Sequence, residues 1–356
     1  MVSRLRVVIL FGGKSVESEV SRISARTIAG ALDPSRYEAI PLAVGADGRF
    51  LPAAHSARLL AEAKVPDRFL PPDAASPESA AIVPAEIAPG RADLVFPIIH
   101  GSSGEDGALQ GFLEILGLPY VGAGVAASAV GMDKAIFKSL LRDAGIPVTR
   151  GVTVRTAEEL SASPFPLPVF VKPVNGGSSV GVTKVKRAED LAAAIDLALR
   201  YDDRALVEEG IDAREIECAV LGNDDPRASV PGEIIPGREF YDYDDKYRED
   251  NARFVIPADL PGDVAEEVRR IALAVFRTAG VSGMARVDFF VERGSNRVLV
   301  NEINTLPGFT AISMYPKLWE ASGLPLPKLL DELIRLALER HARRACLSHE
   351  PPAGLL

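Results

Sequence analysis

Polar side chains alternate with apolar ones in two segments near the C-terminus, and their oxygen atoms could bind a metal ion. The first segment contains Arg286 and Asp288, and the second contains Glu302 and Asn304. Alternate residues of a strand share a face, so a hairpin of these segments would bring the four side chains together. Two carboxylates and an amide suit a hard cation such as Mg²⁺. We interpret these side chains as a magnesium site that holds nucleotide phosphates. The alternative is a solvated face with one Arg–Asp pair, which we consider weaker because charges without a partner on such apolar strands are costly to bury.

A glycine- and serine-rich stretch, NGGSSVG at residues 175–181, could surround phosphate groups. Glycines permit close backbone approach, and the amides of Ser178 and Ser179 could point at anionic oxygens. The stretch is not a Walker A loop, because no Gly-Lys-Ser/Thr follows. An ordinary flexible hairpin explains the stretch alone equally well. Lys172, which closes the preceding strand, and Lys134, at a helix start, favour phosphate binding.

Two further clusters of polar residues are weaker signals. Glu208 and Glu209 end an apolar strand and could offer a carboxylate and backbone groups to an adenine edge, with Glu215 or Glu217 near a ribose. In the N-terminal part, Glu17 stands at the start of a helix, after Gly12-Gly13. There a carboxylate could bind a substrate ammonium or simply complement the helix dipole. His100 and Glu105 follow another strand, at the edge where doubly wound sheets bind ligands, and His100 could orient either glutamate.

The elements that must position these residues alternate between strand and helix, which predicts an α/β fold with a parallel, doubly wound N-terminal sheet. Prolines between residues 51 and 90 predict a surface excursion with little regular structure, and residues 239–253 predict an exposed loop. The expected strands are 7–11, 39–44, 93–99, 120–122, 169–173, 205–208, 216–221, 232–236, 285–291 and 297–303; the expected helices are 15–32, 108–116, one or two within 126–144, 188–201, 263–279 and 328–345.

The composition excludes several classes of protein. The chain has 356 residues, of which 47% are hydrophobic, with a net charge of −9. Such a chain has enough residues for two or three domains and is too acidic for a general nucleic-acid binder. Two cysteines, Cys218 and Cys346, exclude a disulfide scaffold, and Cys218 is expected to be a small buried hydrophobe. The short apolar run at the N-terminus and the lack of a membrane-length apolar stretch predict a cytoplasmic protein with no membrane contact.

Taken in order, these motifs resemble the D-alanine–D-alanine ligase family of the ATP-grasp superfamily. The segments that carry the resemblance are FGGKSVESEVS, HGSSGEDGALQG, PYVGAG, GMDK, VKPVNGGSSVG, EEGIDAREIE, GEIIP, FYDYDDKY, ARVDFF, NEINTLPGFT and SMYPKLW. NEINTLPGFT with SMYPKLW is especially specific for this family. The resemblance extends from about Val7 to about His341. It implies a Rossmann-like domain at residues 1–124, a central ATP-grasp subdomain at 125–212, a C-terminal subdomain at 213–346 with the metal site and a lid, and a tail at 347–356.

The resemblance also implies a role for each site residue. ATP is expected to lie on Lys134, Lys172, Ser179, Glu208, Glu209, Ile211, Glu215 and Lys246, and two Mg²⁺ ions (or Mn²⁺) on Asp288, Glu302 and Asn304. Glu17 is expected to bind the ammonium of the first D-alanine, hydrogen-bonded to Ser178 and Tyr247. Arg286 and the Gly308 amide are expected to stabilise the oxyanion. The remaining substrate contacts are expected from His100, Glu105, Ser313 and Met314.

The implied reaction is ATP-dependent ligation of two D-alanines through an acyl phosphate, for peptidoglycan synthesis, by a homodimer. One departure from the family pattern is Ser18, where a His or Arg is usual beside Glu17. This departure puts in question any contact that the bulkier residue would supply. Three alternatives are a ligase that uses D-lactate or D-serine, a nucleotide-binding protein without turnover, and a dehydrogenase. Tyr247 argues against a ligase that uses D-lactate or D-serine. The presence of all the expected nucleotide and metal residues argues against a protein without turnover. The lack of a complete dinucleotide fingerprint argues against a dehydrogenase.

Overall fold

The computed structural model describes residues 4–64, 83–88, 90–236 and 253–348. Within these ranges the chain forms three β-sheets flanked by helices. No helix in the described ranges is both long and apolar enough to cross a membrane. The boundaries expected between the domains stay a prediction.

The first sheet is parallel, with the strand order β2–β1–β3. Its elements are β1 (Leu5–Gly12), α1 (Ser18–Ala31), β2 (Tyr37–Val44), α2 (Ala53–Glu62), β3 (Leu94–Pro97) and α3 (Ala108–Ile115). Strand β1 is buried on both faces, as a central parallel strand must be. Val7, Ile9 and Phe11 pack in one cluster with α1, whereas Val8 and Leu10 pack in another with α3. The sheet is therefore covered on both sides, as the alternation of strands and helices predicts.

The second sheet is antiparallel, with the order β4–β7–β5–β6. The elements in this part are α4 (Val125–Met132), α5 (Lys134–Asp143), β4 (Gly151–Val154), β5 (Val169–Pro173), β6 (Thr183–Val185), α6 (Leu191–Ala198) and β7 (Ala205–Glu209). Helix α6 packs its buried Ile195 against Val171 and Val207 of the sheet. The glycine-rich stretch connects β5 to β6, so the expected hairpin is confirmed.

The third sheet has the order β11–β10–β8–β12–β13, with β9 paired to β8. Its elements are β8 (Ala213–Gly222), β9 (Arg227–Ala228), β10 (Gly232–Ile235), β11 (Arg253–Val255), α7 (Gly262–Thr278), β12 (Gly283–Glu292), β13 (Val298–Asn304), α8 (Met314–Ala321) and α9 (Leu326–Ala345). Ala219 and Leu221 join the cluster that contains α1, and Cys218 and Val220 face α7. One core thus connects the first and third sheets.

Several sequence expectations need correction. Helix α2 lies inside the segment expected to be irregular, because the run Ala53–Glu62 is free of proline and the buried Ser56 hydroxyl accepts a hydrogen bond from the Ala43 amide at 3.0 Å. Strand β4 and helix α8 were not expected. Tyr120 forms an isolated bridge to Val95 rather than a strand. The expectation of one or two helices within 126–144 is confirmed: there are two, and Asp133 between them caps α5 by accepting a hydrogen bond from the Ile136 amide at 2.8 Å.

Candidate active site

Two cavities adjoin where the three sheets approach one another. One, of about 420 Å³, opens beside the start of α1 and is called the amino-acid-side cavity below. The other, of about 490 Å³, lies between the second and third sheets and is called the nucleotide-side cavity. Seven residues line both cavities: Lys134, Gly176, Gly177, Ser178, Glu217, Arg286 and Glu302. The two cavities therefore share a wall, across which ligands in each could meet.

The amino-acid-side cavity brings together Glu17 and Ser178, which are 161 positions apart in sequence. Glu17 is the residue before α1, and its carboxylate accepts a hydrogen bond from the Ser178 hydroxyl at 2.5 Å. Ser178 and Ser179 have φ values of 52° and 58°, a left-handed conformation that costs energy in residues other than glycine. Strain at this place is typical of a functional loop.

Carboxyl groups crowd the same cavity. Glu105 is partly buried and accepts a hydrogen bond from the Gly101 amide at 2.9 Å. Burial, reinforced by the nearby charges of Glu17 and Glu302, raises the pKa of Glu105 to about 8. His100 is buried, and burial lowers its pKa although Glu17 acts in the opposite direction. The cavity thus has carboxyl oxygens on one side and an imidazole that favours its neutral form.

The loop between β13 and α8 forms another wall of the amino-acid-side cavity. The His100 ring nitrogen Nδ1 lies 3.1 Å from the Leu306 carbonyl, and the Phe309 amide donates to the Ser24 hydroxyl at 3.1 Å. A side chain at Gly308 would come within 2.8 Å of the Ser313 hydroxyl, so the Ser313 side chain would have to move. Gly308, Ser313 and Met314 all line this cavity, as the sequence predicts.

Cationic groups line the nucleotide-side cavity. Lys172 is the second-last residue of β5, and its ammonium lies 2.6 Å from the Glu208 carboxylate. Lys134 begins α5 and donates to the Gly176 carbonyl at 2.6 Å, which ties the glycine-rich stretch to that helix. The Glu302 carboxylate lies 3.8 Å from the same ammonium. This cavity combines backbone amides with three lysines, Lys134, Lys172 and Lys184, and this combination suits phosphate groups.

Glu208 has two partners that the sequence reasoning missed. Its carboxylate forms a buried ion pair with Lys138 and accepts a hydrogen bond from the Thr149 hydroxyl at 2.5 Å. Burial alone would raise the pKa of Glu208, but Lys138 and Lys172 outweigh it and lower the pKa to about 2. A signal for Lys138 existed: it lies one helical turn after Lys134, so the two lysines share a face of α5.

The other predicted nucleotide contacts also line this cavity. They are Ser179, Glu209, Ile211 and Glu215. Glu209 accepts a hydrogen bond from the Arg150 guanidinium at 2.7 Å, so its carboxylate is already paired within the protein. Glu217, weighed for a ribose, instead lies 2.9 Å from Arg286.

The predicted metal set lies on two paired strands. Asp288 stands opposite Glu302, and Arg286 opposite Asn304, in the register of β12 and β13. Asp288 accepts hydrogen bonds from Arg286 at 2.7 and 2.8 Å and from the Asn304 amide at 2.9 Å. Burial alone would lower the pKa of Arg286, but the carboxylates of Asp288 and Glu217 raise it well above its ordinary value.

The donor set fits a hard cation. Two carboxylates and an amide oxygen are ligands that such ions prefer, and Asp288 and Glu302 both face the nucleotide-side cavity. Within the described ranges, no three His, Cys, Asp or Glu side chains cluster in a way that would hold a metal unaided. A bound nucleotide phosphate would supply the missing oxygens. Tyr247 and Lys246, predicted in the lid, lie outside the described residues.

A nucleotide-sized cavity lies between an antiparallel four-stranded sheet and a larger sheet, with acidic and amide side chains on paired strands. This is the arrangement of the ATP-grasp class. Family models support this assignment and narrow it. The model described as the N-terminus of D-ala D-ala ligase matches residues 6–123, and the C-terminus model matches residues 140–335. The chain belongs to the D-alanine–D-alanine ligase family, whose members need ATP and a divalent metal ion.

Curated relatives and solved structures agree. The chain is 46% identical to the D-alanine–D-alanine ligase of Solibacter usitatus over 96% of this chain and 98% of the relative. It is 47% identical to D-alanine–D-alanine ligase A of Escherichia coli K12, with coverages of 96% and 98%. The D-alanine–D-alanine ligase structure from Coxiella burnetii superposes with a TM-score of 0.80 at 42% identity, covering 96% of each chain. The VanG D-Ala:D-Ser ligase of Enterococcus faecalis superposes with a TM-score of 0.79 at 31% identity, covering 94% of this chain and 100% of that one.

Proposed function

We propose that this protein joins two D-alanines to D-alanyl-D-alanine, with hydrolysis of ATP to ADP and phosphate, for peptidoglycan synthesis. One observation supports this function above the others: the cavity that contains Glu17 and Glu105 adjoins the cavity that contains Lys172 and Lys184, with Lys134 and Arg286 on the shared wall. Carboxyl groups suit the ammonium of an amino acid, and lysines suit nucleotide phosphates. The shared wall lets the two substrates react.

In this proposal the nucleotide lies against β5, β7 and β8. Lys134 and Lys172 contact its phosphates, and the strained Ser178–Ser179 backbone offers amides to them. Glu208, Glu209, Ile211 and Glu215 surround the adenosine end, and Lys246 approaches the terminal phosphate. Asp288, Glu302 and Asn304 hold two Mg²⁺ ions, for which Mn²⁺ can substitute. Bound Mg²⁺ supplies neutralisation of the phosphate charge.

The first D-alanine places its ammonium on Glu17, which Ser178 and Tyr247 orient. Its carboxylate points at the shared wall, toward Arg286. The second D-alanine places its carboxylate on Ser313 and Met314. His100 and Glu105 complete the surroundings of both amino acids, and the buried His100 supports the loop that carries Gly308.

The reaction then has two chemical steps. A carboxylate oxygen of the first D-alanine attacks the terminal phosphorus of ATP, the bond to the ADP oxygen breaks, and an acyl phosphate forms. The amine of the second D-alanine, after losing a proton, attacks the acyl carbon. Arg286 and the Gly308 amide stabilise the oxyanion of this step, and phosphate leaves as the peptide bond forms.

The activity is tested by phosphate release with ATP under four conditions: D-alanine alone, L-alanine alone, D-alanine with D-serine, and D-alanine with D-lactate. We expect release with D-alanine and formation of the dipeptide. Release that requires D-serine or D-lactate beside D-alanine would replace the proposed product with a mixed one, and release with none of the four would contradict the function. Location in the cytoplasm and assembly as a homodimer belong to the same proposal, and sedimentation tests the dimer.

The choice of the second substrate gives a finer test. A site built around a hydrogen bond discriminates strongly, so its loss relaxes specificity. We expect Tyr247→Phe to form some D-alanyl-D-lactate between pH 6 and 9, with slower dipeptide synthesis. A variant that makes only dipeptide at the unchanged rate would remove Tyr247 from the proposed network.

A further inference from the structure

Lys138 is a buried cation with no assigned role. Its side chain is 2% exposed, and its ammonium contacts the Glu208 carboxylate and the Thr149 hydroxyl, the latter at 2.5 Å. An isolated ammonium at such depth would be strongly unfavourable. The carboxylate that compensates for it is the same one that holds Lys172, and Lys172 lines the nucleotide-side cavity.

The two lysines contact opposite oxygens of one carboxylate. Lys138 pairs with Oε1 of Glu208, whereas Lys172 pairs with Oε2. The three groups together carry one net positive charge. Lys172 is the more exposed of the two lysines, at 11% of its side chain, so the surplus charge faces the cavity. Without Lys138, Glu208 and Lys172 would neutralise each other.

We infer, on the basis of the proposed function, that Lys138 is a positioning residue for nucleotide binding. It pairs with the Glu208 oxygen that faces away from Lys172, so the Lys172 ammonium is not fully neutralised by Glu208 and can attract the phosphates. Lys138 itself does not touch the nucleotide. Thr149 supports the arrangement by bonding to both members of the ion pair. Helix α5 is thus connected to the nucleotide twice, directly through Lys134 and indirectly through Lys138.

The first test compares ADP·Mg affinity by isothermal titration calorimetry in wild type and Lys138→Met. Losing a charged hydrogen-bond partner predicts about a tenfold or larger rise in Kd. The KM for D-alanine should stay unchanged, because the amino-acid-side cavity keeps its groups. Lys138→Arg should recover most of the affinity. Arg142→Met, which removes an exposed positive charge from the same helix, is the matched control and should leave Kd unchanged.

A double-mutant cycle separates positioning from a general structural role. In a Glu208→Gln background Lys172 has no carboxylate to neutralise it, so adding Lys138→Met should change Kd by less than about threefold. An equal penalty in both backgrounds would overturn the inference, as would an unchanged Kd in Lys138→Met or a matching loss of D-alanine affinity. If Lys138→Met does not fold, Thr149→Val gives the test. It should raise Kd a few-fold at constant D-alanine KM, and an unchanged Kd would contradict the inference.

The pH dependence adds a readout that a structural role would not produce. Burial lowers the pKa of Lys138, the Glu208 carboxylate on β7 opposes this effect, and the resulting pKa is about 8. The charge of Lys172 on β5 also lowers the pKa of Lys138, and the charge of Glu302 on β13 raises it. Nucleotide affinity should fall as pH rises through about 8 in wild type and less so in Lys138→Arg, whose guanidinium stays protonated. A wild type that binds ADP but makes no dipeptide would refute the proposed function and leave this inference standing.

Discussion

Two glutamates, one in each cavity, differ in the direction of their pKa shifts. Glu105 faces Glu17 and Glu302 across the amino-acid-side cavity, and burial together with these charges raises its pKa to about 8. Glu208 is more deeply buried, yet Lys138 and Lys172 lower its pKa to about 2. Burial raises the pKa of both carboxyl groups, and only the two lysines beside Glu208 reverse the sign of its shift.

The difference teaches how one site can hold two ligands of opposite charge. The amino-acid-side cavity, with Glu17 and Glu105, favours the ammonium of an amino acid because opposite charges attract. The lysine-lined cavity favours phosphates for the same reason. Arg286, between Asp288 and Glu217, stands where the two meet and stays charged. Variants that change one cavity should leave binding in the other largely intact, whereas variants of the shared wall should damage the whole reaction.

The largest effect is expected from Asp288→Asn, because Asp288 lines the nucleotide-side cavity and also pairs with Arg286 on the shared wall. The change removes a charged oxygen from the proposed metal site of Asp288, Glu302 and Asn304. It also removes one of the two carboxylates that pair with Arg286. We expect turnover to fall by about a hundredfold or more, measured as phosphate release with D-alanine at saturating Mg²⁺. Asp196→Asn, an exposed position on α6, is the control. Near-native turnover in Asp288→Asn would make the metal assignment wrong.

A selective effect is expected from Glu17→Gln, on the amino-acid side. The amide loses a charge-assisted contact with the ammonium, which predicts about a ten- to hundredfold rise in KM for the first D-alanine. The KM for ATP should hardly change, because the nucleotide lies against the lysines. The measurement is a pair of steady-state titrations, one for each substrate.

The matched control for Glu17 is Glu19→Gln in the first turn of the same helix. Glu19 pairs with Arg22 at 2.8 Å rather than with the glycine-rich stretch. The control variant should keep both KM values. Equal losses for D-alanine and ATP in Glu17→Gln would instead mean that Glu17 serves the stability of α1, and the contrast between the cavities would no longer depend on it.

The sequence predicts those parts of the site where a short pattern carries the geometry. Alternation in β12 and β13 placed Arg286 and Asp288 on one face, and the paired register confirms it. The family resemblance identified further residues that line the cavities, among them Ile211, Gly308 and Ser313. The role of Lys138 was not predicted, because its burial depends on β7, which lies about 70 positions further along the chain. Helix α2 was not predicted, because the many prolines of residues 51–90 favoured an irregular segment although the short run Ala53–Glu62 contains no proline.

The smallest effect concerns stability and tests the opening comparison directly. Glu105→Gln removes the carboxyl but keeps an oxygen for the Gly101 amide. A folded-state pKa raised from 4.5 to about 8 means that the protonated carboxyl stabilises the fold below pH 4.5, and that this stability is lost as pH rises through about 8. Relative to wild type, Glu105→Gln should therefore become progressively more stable between these values, measured as the difference in melting temperature without ligands.

Glu208→Gln is the matched variant and should show the opposite trend. Its folded-state pKa is lowered from 4.5 to about 2, so the stability it contributes is present above pH 4.5 and is lost as pH falls toward 2. The variant should be less stable than wild type at pH 7, with a penalty that shrinks in acid. Urea unfolding between pH 3 and pH 7 measures it. If the two variants differ from wild type by amounts that do not change with pH, or change in the same direction, then neighbouring charges do not set these pKa values and the contrast between the two cavities is wrong.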